Sequence, residues 1–483
     1  MKSLKFAPAV LAGLLLSSCM VGPKYQKPAA PLTPAFKEPL PAGWKEAQPN
    51  DGALKGKWWE IYNDPALNAL EEQVNISNQN VLAAEAQFRE AKDAVRIARA
   101  ALYPTIGTNP VITNSRTGNG GTATFGNSSP IHNSFSLPVD FTYQVDLWGS
   151  IRRGVNQSAN LAQASFAQLE NARLSYQSEL ASDYFELHGL DGDADLLDRT
   201  VKSYQDYLKL TQDRLHSGVA SGSDVAQAET QLDSAEAALI DLGVARAQFE
   251  HAIAVLIGKP PAEVEIPALI LKTPPPAVPT GVPSALLERR PDISEFERQV
   301  AAANEQIGID QAAFYPTLTL SASGGFQGTS LLNIFQWPSR FWSVGPGLAY
   351  TLFDAGRRRA VVAEARDAYD VTVANYRQSV LAAFQQVEDN LAALRTLQTE
   401  SGAVDLEVKA AEEALTISTY QYKAGTVNYL QVITSQTAAL SAERTAIDLL
   451  TRRLNASVLL VEALGGGWDT SKVPTPESLR SSR

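Results

Sequence analysis

The chain has 483 residues, of which 45% are hydrophobic and 19% charged, and it carries a net charge of −11. This composition is typical of a folded protein, and its acidic balance argues against electrostatic capture of nucleic acid. One cysteine, Cys19, excludes an intrachain disulfide and a cysteine-based zinc site. Four scattered histidines argue against a histidine-rich metal site, so no cofactor is expected.

The first residues have the pattern of a secretory signal. Lys2 and Lys5 precede an apolar run, residues 6–16, which is too short to span a bilayer. Small residues and Cys19 follow, and this arrangement resembles the bacterial lipobox, in which the thiol is acylated. We predict a signal peptide at 1–18 and a lipid on Cys19. Met20 in place of an aspartate favours delivery to the outer membrane. The alternative is an ordinary signal peptide that happens to contain a cysteine.

Beyond this segment the chain is internally duplicated. Residues 100–105 (AALYPT) recur as residues 312–317 (AAFYPT), 212 residues later. Gly149 and Gly218 recur as Gly356 and Gly425, each 207 residues later. Repetition at a fixed spacing indicates two equivalent structural units. We predict the divisions 19–64 (lipid-anchored extended segment), 65–259 (first repeat), 260–283 (Pro-rich linker), 284–465 (second repeat) and 466–483 (C-terminal tail).

Both repeats predict the same order of elements. A helix, at about 66–102 and 293–314, ends at Tyr-Pro because proline disfavours helix in the residue before it. Two β segments follow. Next come helices at 150–216 and 357–423, each about 100 Å long at 1.5 Å per residue. Gly189 and Gly192 do not interrupt the first of these, since the second has no equivalent glycine. Return helices of about 35 residues follow at 224–257 and 429–464. The Pro-rich linker is expected to be a stiff extended spacer rather than a packed element.

The β segments alternate apolar and polar residues, most clearly at 135–147 and 342–352. Such alternation fits transmembrane strands, and it equally fits a half-exposed soluble sheet. The predicted lipid at Cys19 favours the membrane. Four strands cannot close a barrel, so a transmembrane sheet requires an oligomer of two chains with 8 strands or three chains with 12.

Arginines cluster where strands give way to helices. A cation at a helix N-terminus opposes the helix dipole, so these side chains are expected to have another partner, most simply lipid headgroups. The alternative is a set of solvated charges at the end of a soluble helix. The residues are Arg152, Arg153, Arg357, Arg358 and Arg359.

Several motifs, in order along the chain, resemble the TolC-like outer-membrane efflux proteins, and in particular their NodT-type lipoprotein branch. They are residues 19–25 (CMVGPKY), Trp58-Trp59, residues 146–149 (DLWG), residues 353–357 (FDAGR) and Ser217-Gly218.

The resemblance implies a mixed α and β protomer, internally duplicated, which forms a homotrimer. Its 12-stranded outer-membrane β-barrel would continue as a 12-helix periplasmic α-barrel. The implied function is that of the outer-membrane channel of a tripartite efflux system that exports small toxic molecules or drugs. The implied partners are a periplasmic adaptor and an inner-membrane pump, and no enzymatic activity is expected.

Gly218 and Gly425 are expected to form the periplasmic tip. By the same resemblance, Tyr422 and Lys423 are candidate constriction residues, with Asp224 as a possible ion partner. The alternative is that they are ordinary solvated residues.

Other functions stay open at this point. The family resemblance also allows a type I-like protein secretion channel. A structural periplasmic coiled-coil lipoprotein would fit if the β segments formed a soluble sheet. A lipid-anchored enzyme would need a nucleophile or metal constellation, which the sequence does not offer.

Overall fold

The computed structural model of the chain describes residues 20–31, 33–39, 41, 56–116, 131–278, 290–468 and 470–481. The predicted signal peptide and Cys19 lie outside the described residues, as do residues 279–283 of the predicted linker. The described part of the fold consists of long helices and one antiparallel sheet, and the order of its elements recurs along the chain.

Within its described residues, the first repeat contains four α-helices and three strand segments. They are α1 (Pro65–Ser77), α2 (Gln79–Ala100), β1 (Thr105–Thr108), β2 (Val111–Arg116), β3 (Ile131–Val145), α3 (Ser150–His216) and α4 (Gly222–Leu256).

The second repeat follows the same order and is succeeded by a short terminal helix. Its elements are α5 (Pro291–Ala312), β4 (Thr317–Gly328), β5 (Arg340–Ala349), α6 (Arg357–Lys423) and α7 (Tyr429–Ala463), and α8 (Pro476–Ser481) comes last.

Corresponding helices have equal lengths in the two repeats. The long helices α3 and α6 have 67 residues each, and the return helices α4 and α7 have 35 each. Helix α3 is continuous through Gly189 and Gly192, as the sequence predicted.

The first predicted helix is wrong in one respect, because it is two helices. Asn78 separates α1 from α2 and has an extended backbone. Its side-chain oxygen accepts hydrogen bonds from the amides of Asn80 and Val81, which caps α2. Its side-chain nitrogen donates to the carbonyl of Leu256 at the end of α4. The chain therefore bends where asparagine can satisfy backbone groups of two helices.

The strand order is β1-β3-β4-β5, and β2 also pairs with β3. Thr108 lies opposite Val139, and Val111 lies opposite Ser136. Three positions separate the two residues on each side, so the register of pairing continues from β1 to β2. These two segments are therefore one strand with a gap. Pro110, which has no N–H to donate, lies in the gap. The predicted number of four strands therefore stands, with the first strand interrupted.

The largest buried cluster lies midway along the long helices, where α1, α3, α6 and α7 meet the chain around Trp58. Trp58 contacts Trp59 and Tyr62 edge-on, at ring-centroid distances of 5.9 and 6.5 Å. The hydroxyl of Tyr184 donates to Asp64 at 2.7 Å, and Asp64 in turn caps α1. Large aromatic side chains thereby fix the start of the first repeat against α3.

The linker is not the unpacked spacer that its prolines predicted. Ile266 and Val278 are buried in the main cluster. The amide of Ile266 donates to Glu250 and its carbonyl accepts from Arg246, both at 2.7 Å. The amide of Leu269 donates to Asp191 at 3.1 Å. These hydrogen bonds satisfy backbone groups that a sheet would otherwise pair, and they hold the linker against α3 and α4.

Candidate functional site

The sheet has one apolar and one polar face. Strand pairing places Leu137 beside Phe326, and Val139 beside Gly324, which also pairs with Trp342. On the other face Asp140 lies beside Ser323. Trp342 is 82% exposed on the apolar face. An exposed apolar face on alternating strands suits contact with hydrocarbon or with another apolar surface.

Among the described helices, none is both long enough and apolar enough to cross a membrane.

Two aspartates cap the long helices and pair with arginines of the first turn. Asp146 accepts from the amides of Ile151 and Arg152 and from the Arg152 side chain. Asp354 accepts from the amide of Arg358 at 3.2 Å and from its side chain at 2.6 Å. The hydrogen bond from the Arg358 side chain lowers the pKa of Asp354. A carboxylate therefore offsets each arginine at the unfavourable end of the helix dipole.

Arg153 differs from its neighbours because its side chain is 4% exposed. It donates to the carbonyls of Val21 and Pro23 and pairs with Glu305. The expectation that it meets lipid headgroups does not fit this burial, since all three of these partners belong to the chain itself. Arg357 and Arg359 are exposed, as a lipid-facing residue requires.

Gly218 and Gly425 turn the chain at the far ends of α3 and α6. Their φ angles are +71° and +76°. The amides of Gly218 and Val219 donate to Leu215 and Arg214, three and five residues back, and the second turn repeats this pattern. Such paired bonds close a helix end and require a left-handed residue, which glycine supplies without strain.

Tyr422 is buried beside the second turn and is 3% exposed. Its ring lies 5.3 Å from that of Tyr429, and the Arg214 guanidinium lies 4.6 Å from its centroid. Arg214 also donates to the carbonyl of Tyr422 at 2.8 Å. Arg214 therefore joins the end of α3 to the end of α6, a role that was not predicted from the sequence. Its position four residues before Gly218 was the one available sign.

The other two candidate gate residues are not brought together. Lys423 is exposed. The Asp224 carboxylate accepts from the Ser221 amide, and the Ser221 hydroxyl accepts from the Asp224 amide, so the pair forms a capping box that begins α4. Asp224 therefore serves its own helix.

A buried charge cluster lies in the middle of α3. Asp191 accepts from Arg246 at 2.7 Å, and its other oxygen lies 2.8 Å from Nδ1 of His188. Burial alone would raise the pKa of Asp191, but the hydrogen bonds from His188 and Arg246 outweigh it and lower the pKa. Because the cluster also binds Leu269, it connects the linker to α3. Within the described ranges, no three acidic, histidine or cysteine side chains come together as a metal-binding group.

Comparison with known proteins identifies the family. The outer membrane efflux protein family model matches residues 70–259 and 282–466. The solvent efflux pump outer membrane protein SrpC of Pseudomonas putida is 29% identical, over 96% of this chain and 98% of its own. Outer membrane protein OprJ of Pseudomonas aeruginosa is also 29% identical, over 96% of each chain.

Among solved structures, the outer-membrane channel OprN superposes with a TM-score of 0.85 at 27% identity, over 93% of this chain and all of that one. The matched residues cover both repeats, and the fold agrees over nearly the whole length. The chain therefore belongs to the outer membrane efflux protein family, and it is an outer-membrane component of efflux transport.

Proposed function

We propose that three copies of this chain form the outer-membrane channel of a tripartite efflux system. Their twelve strands would close one β-barrel, and their helices would continue it as a 12-helix tunnel through the periplasm. A periplasmic adaptor would join the tunnel to an inner-membrane pump. The proposed cargo is small toxic molecules or drugs, in keeping with the solvent efflux named for SrpC.

The main support for this proposal comes from the two edges of the sheet, which have unpaired backbone groups within the described residues. In the described part of the chain, the β1–β2 strand pairs with β3 alone, and β5 pairs with β4 alone. Each edge strand therefore has one side without ladder partners. In a bilayer each unpaired backbone group costs several kcal/mol, so an apolar-faced sheet of four strands requires further copies to close it.

The long helices support the same assembly. Helix α6 exposes large apolar side chains along its length, including Val371, Leu381 and Leu406. Packing of α6 against another protomer would remove these apolar side chains from water. We therefore assign them to the contact between protomers.

Acylation of Cys19 after removal of residues 1–18 remains part of the proposal. Met20 lies beside Gly149 at the start of α3, so a lipid one residue earlier would be next to the sheet. We assign four arginines to the headgroup region, which are Arg152, Arg357, Arg358 and Arg359. We assign residues 65–259 and 284–465 as the two repeats of the channel.

The gate is proposed at the tip, with the roles of its residues revised. Tyr422 is buried, so its ring would hold the two hairpins together rather than narrow the passage. Arg214 would act with it as the intraprotomer link. Exposed Lys423 is the residue we assign to the constriction, and Asp224 is assigned to its helix cap. No enzymatic step is part of this function.

Conductance and oligomer mass test the channel. The full lipidated chain, extracted in detergent, is expected to have the mass of three chains and to conduct ions in a planar bilayer. A monomer without conductance would instead support the structural lipoprotein. A strain that lacks the protein should become sensitive to solvents and drugs. Loss of a secreted protein without such sensitivity would favour the secretion channel.

The gate is tested with Lys423→Glu in the same bilayers. Removing the cation from the constriction is expected to raise the single-channel conductance. Lys409→Glu makes the same charge change at an exposed position of α6 away from the tip, and should leave the conductance unaltered. Equal conductance for both variants and the wild type would show that Lys423 does not form the constriction.

A further inference from the structure

Arg153 binds the backbone of residues 20–23 from inside the protein. Its Nε donates to the carbonyl of Val21 at 2.6 Å and its Nη2 to the carbonyl of Pro23 at 3.2 Å. Its Nη1 pairs with Glu305 at 2.8 Å. A guanidinium buried with three oxygen partners is a strong, directional fastening, because each bond is charge-assisted and formed away from water.

Glycines make this contact possible. Gly22 has φ +107°, and a Cβ placed there would lie 2.5 Å from the Cα of Gly308 on α5. A Cβ on Gly308 would collide with the Arg153 side chain. The segment, α5 and Arg153 are therefore in contact at a distance that only glycine allows.

The same site holds Met20 at the base of the sheet. The amide of Val21 donates to the carbonyl of Trp148, three residues beyond the end of β3. The Trp148 ring stacks on Tyr315 at 4.6 Å, and its Nε1 donates to the carbonyl of Pro316, just before β4. Residues 20–23 are thereby fixed to the base of the sheet, where β3 ends and β4 begins.

The duplicated sequence marks this site as special. The position that matches Arg153 in the second repeat, 207 residues later, is Ala360. The position that matches Gly308 in the first repeat, 212 residues earlier, is Arg96. Both differences lie at the site that binds the N-terminal segment, and this segment is not part of the duplication.

We infer that Arg153 is a positioning residue for the lipid anchor. It holds residues 20–23 so that acyl groups on Cys19 enter the membrane directly beside the base of the sheet. The inference rests on the proposed acylation of Cys19. Consecutive Cα atoms are about 3.8 Å apart, so the single peptide bond from Met20 to Cys19 leaves almost no slack. The anchor is a fixed attachment of the body to the membrane rather than a flexible tether.

Trypsin cleavage after Lys24 tests the inference on the full lipidated protein extracted in detergent. A protease needs a locally released segment, and the next lysine, Lys27, is protected by Pro28. Arg153→Ala is expected to speed the appearance of a new amino terminus at Tyr25 by about ten-fold or more, the effect of losing charge-assisted bonds that hold the segment closed. Gly22→Ala should do the same by steric exclusion, with Arg153 intact.

One control variant isolates the contact. Gly154→Ala, next to Arg153 on α3, adds a methyl group where no described atom outside its own stretch of helix lies within 4 Å. This variant should be cleaved at the wild-type rate. Hydrogen exchange at residues 20–25 should rise in the two test variants alone, while the thermal midpoint of the helices stays near that of the wild type.

Wild-type cleavage rates in both Arg153→Ala and Gly22→Ala would overturn the inference. If Arg153→Ala does not fold, Gly22→Ala decides the question alone. The released peptide, residues 19–24, reports separately on the proposed function: a mass without acyl groups would disprove the lipid on Cys19, while a faster cleavage would still show that Arg153 holds the segment.

Discussion

Helices α3 and α6 have the same length and the same kind of end but different surroundings. Both have 67 residues, begin after a left-handed glycine and end at another. Yet 25 residues of α3 are buried, against 14 of α6. Helix α3 packs against α2, α4, α5 and α7, whereas α6 packs chiefly against α5 and α7. The two helices are therefore equivalent in length and ends, but α3 is central in the protomer and α6 is peripheral.

The central helix carries the tasks that the protomer performs only once. One residue binds the N-terminal segment, one lets α7 approach closely, one fastens the linker and one joins the hairpin tips. None is repeated in α6 at the position 207 residues later. The residues of α3, with their counterparts in α6, are Arg153 (Ala360), Gly189 (Thr396), Asp191 (Gln398) and Arg214 (Gln421).

The largest expected effect is at Asp191. Asp191→Ala leaves Arg246 and the Leu269 amide without their carboxylate, and breaking a buried ion pair in this way costs about 3–5 kcal/mol. Denaturant unfolding of the purified protein should show this loss. Gln398→Ala, the counterpart in α6, should cost far less. Equal losses would mean that the two helices do not differ in this respect.

Arg214→Ala is expected to have the next effect, and a local one. It removes a charge-assisted bond worth about 1.5–3 kcal/mol between the two hairpin ends, so the tip should open more often and the bilayer conductance should rise. Gln421→Ala is the matched change on α6. A conductance increase in Gln421→Ala alone would contradict the assignment of this link to Arg214.

Gly189→Ala should destabilise by about 1–3 kcal/mol, because the new methyl group would collide with the buried side chain of Thr451 on α7. Gly402→Ala on α6 adds a methyl group where no described atom outside its own stretch of helix lies within 4 Å, and should stabilise by up to about 1 kcal/mol through better helix propensity. Opposite shifts in the melting temperature would sharpen the contrast, and shifts of the same sign would weaken it.

The smallest effect concerns pH and lies outside both long helices. Glu71 on α1 is 0% exposed, and neither carboxylate oxygen has a hydrogen-bond partner among the described residues. Burial raises its pKa well above the ordinary value of 4.5, so folding favours the protonated form. Stability should therefore be greatest below the ordinary value and decrease as the pH rises above it.

Glu71→Gln cannot ionise, so its melting temperature should decrease less between pH 5 and pH 8 than that of the wild type. Glu90→Gln changes an exposed carboxyl group on α2, and should retain the wild-type pH dependence. A wild-type slope in Glu71→Gln would show that this carboxyl does not titrate as its burial indicates.

Much of this framework could be predicted from the sequence because its signals are local. The glycines at 149 and 218, and their counterparts, mark the ends of α3 and α6, and the alternation of side chains marks the strands. The break at Asn78 was not predicted because a helical pattern continues on both sides of it. The burial of Arg153 and the fastening of Ile266 depend on partners that distance along the chain conceals. Proline content alone predicted an extended linker, but it carried no information about the surface that the linker meets.

The pairing of β3 with β4 sets an order for biogenesis. Phe141 pairs with Ala322, and Val139 with Gly324, nearly two hundred residues later. During export the first repeat emerges before its strand partner and before α5 and α7, which cover α3. The half-exported chain therefore presents apolar surface with nothing of its own to cover it. The periplasm must protect this intermediate until the second repeat arrives, so a fragment ending at residue 259 should aggregate rather than fold.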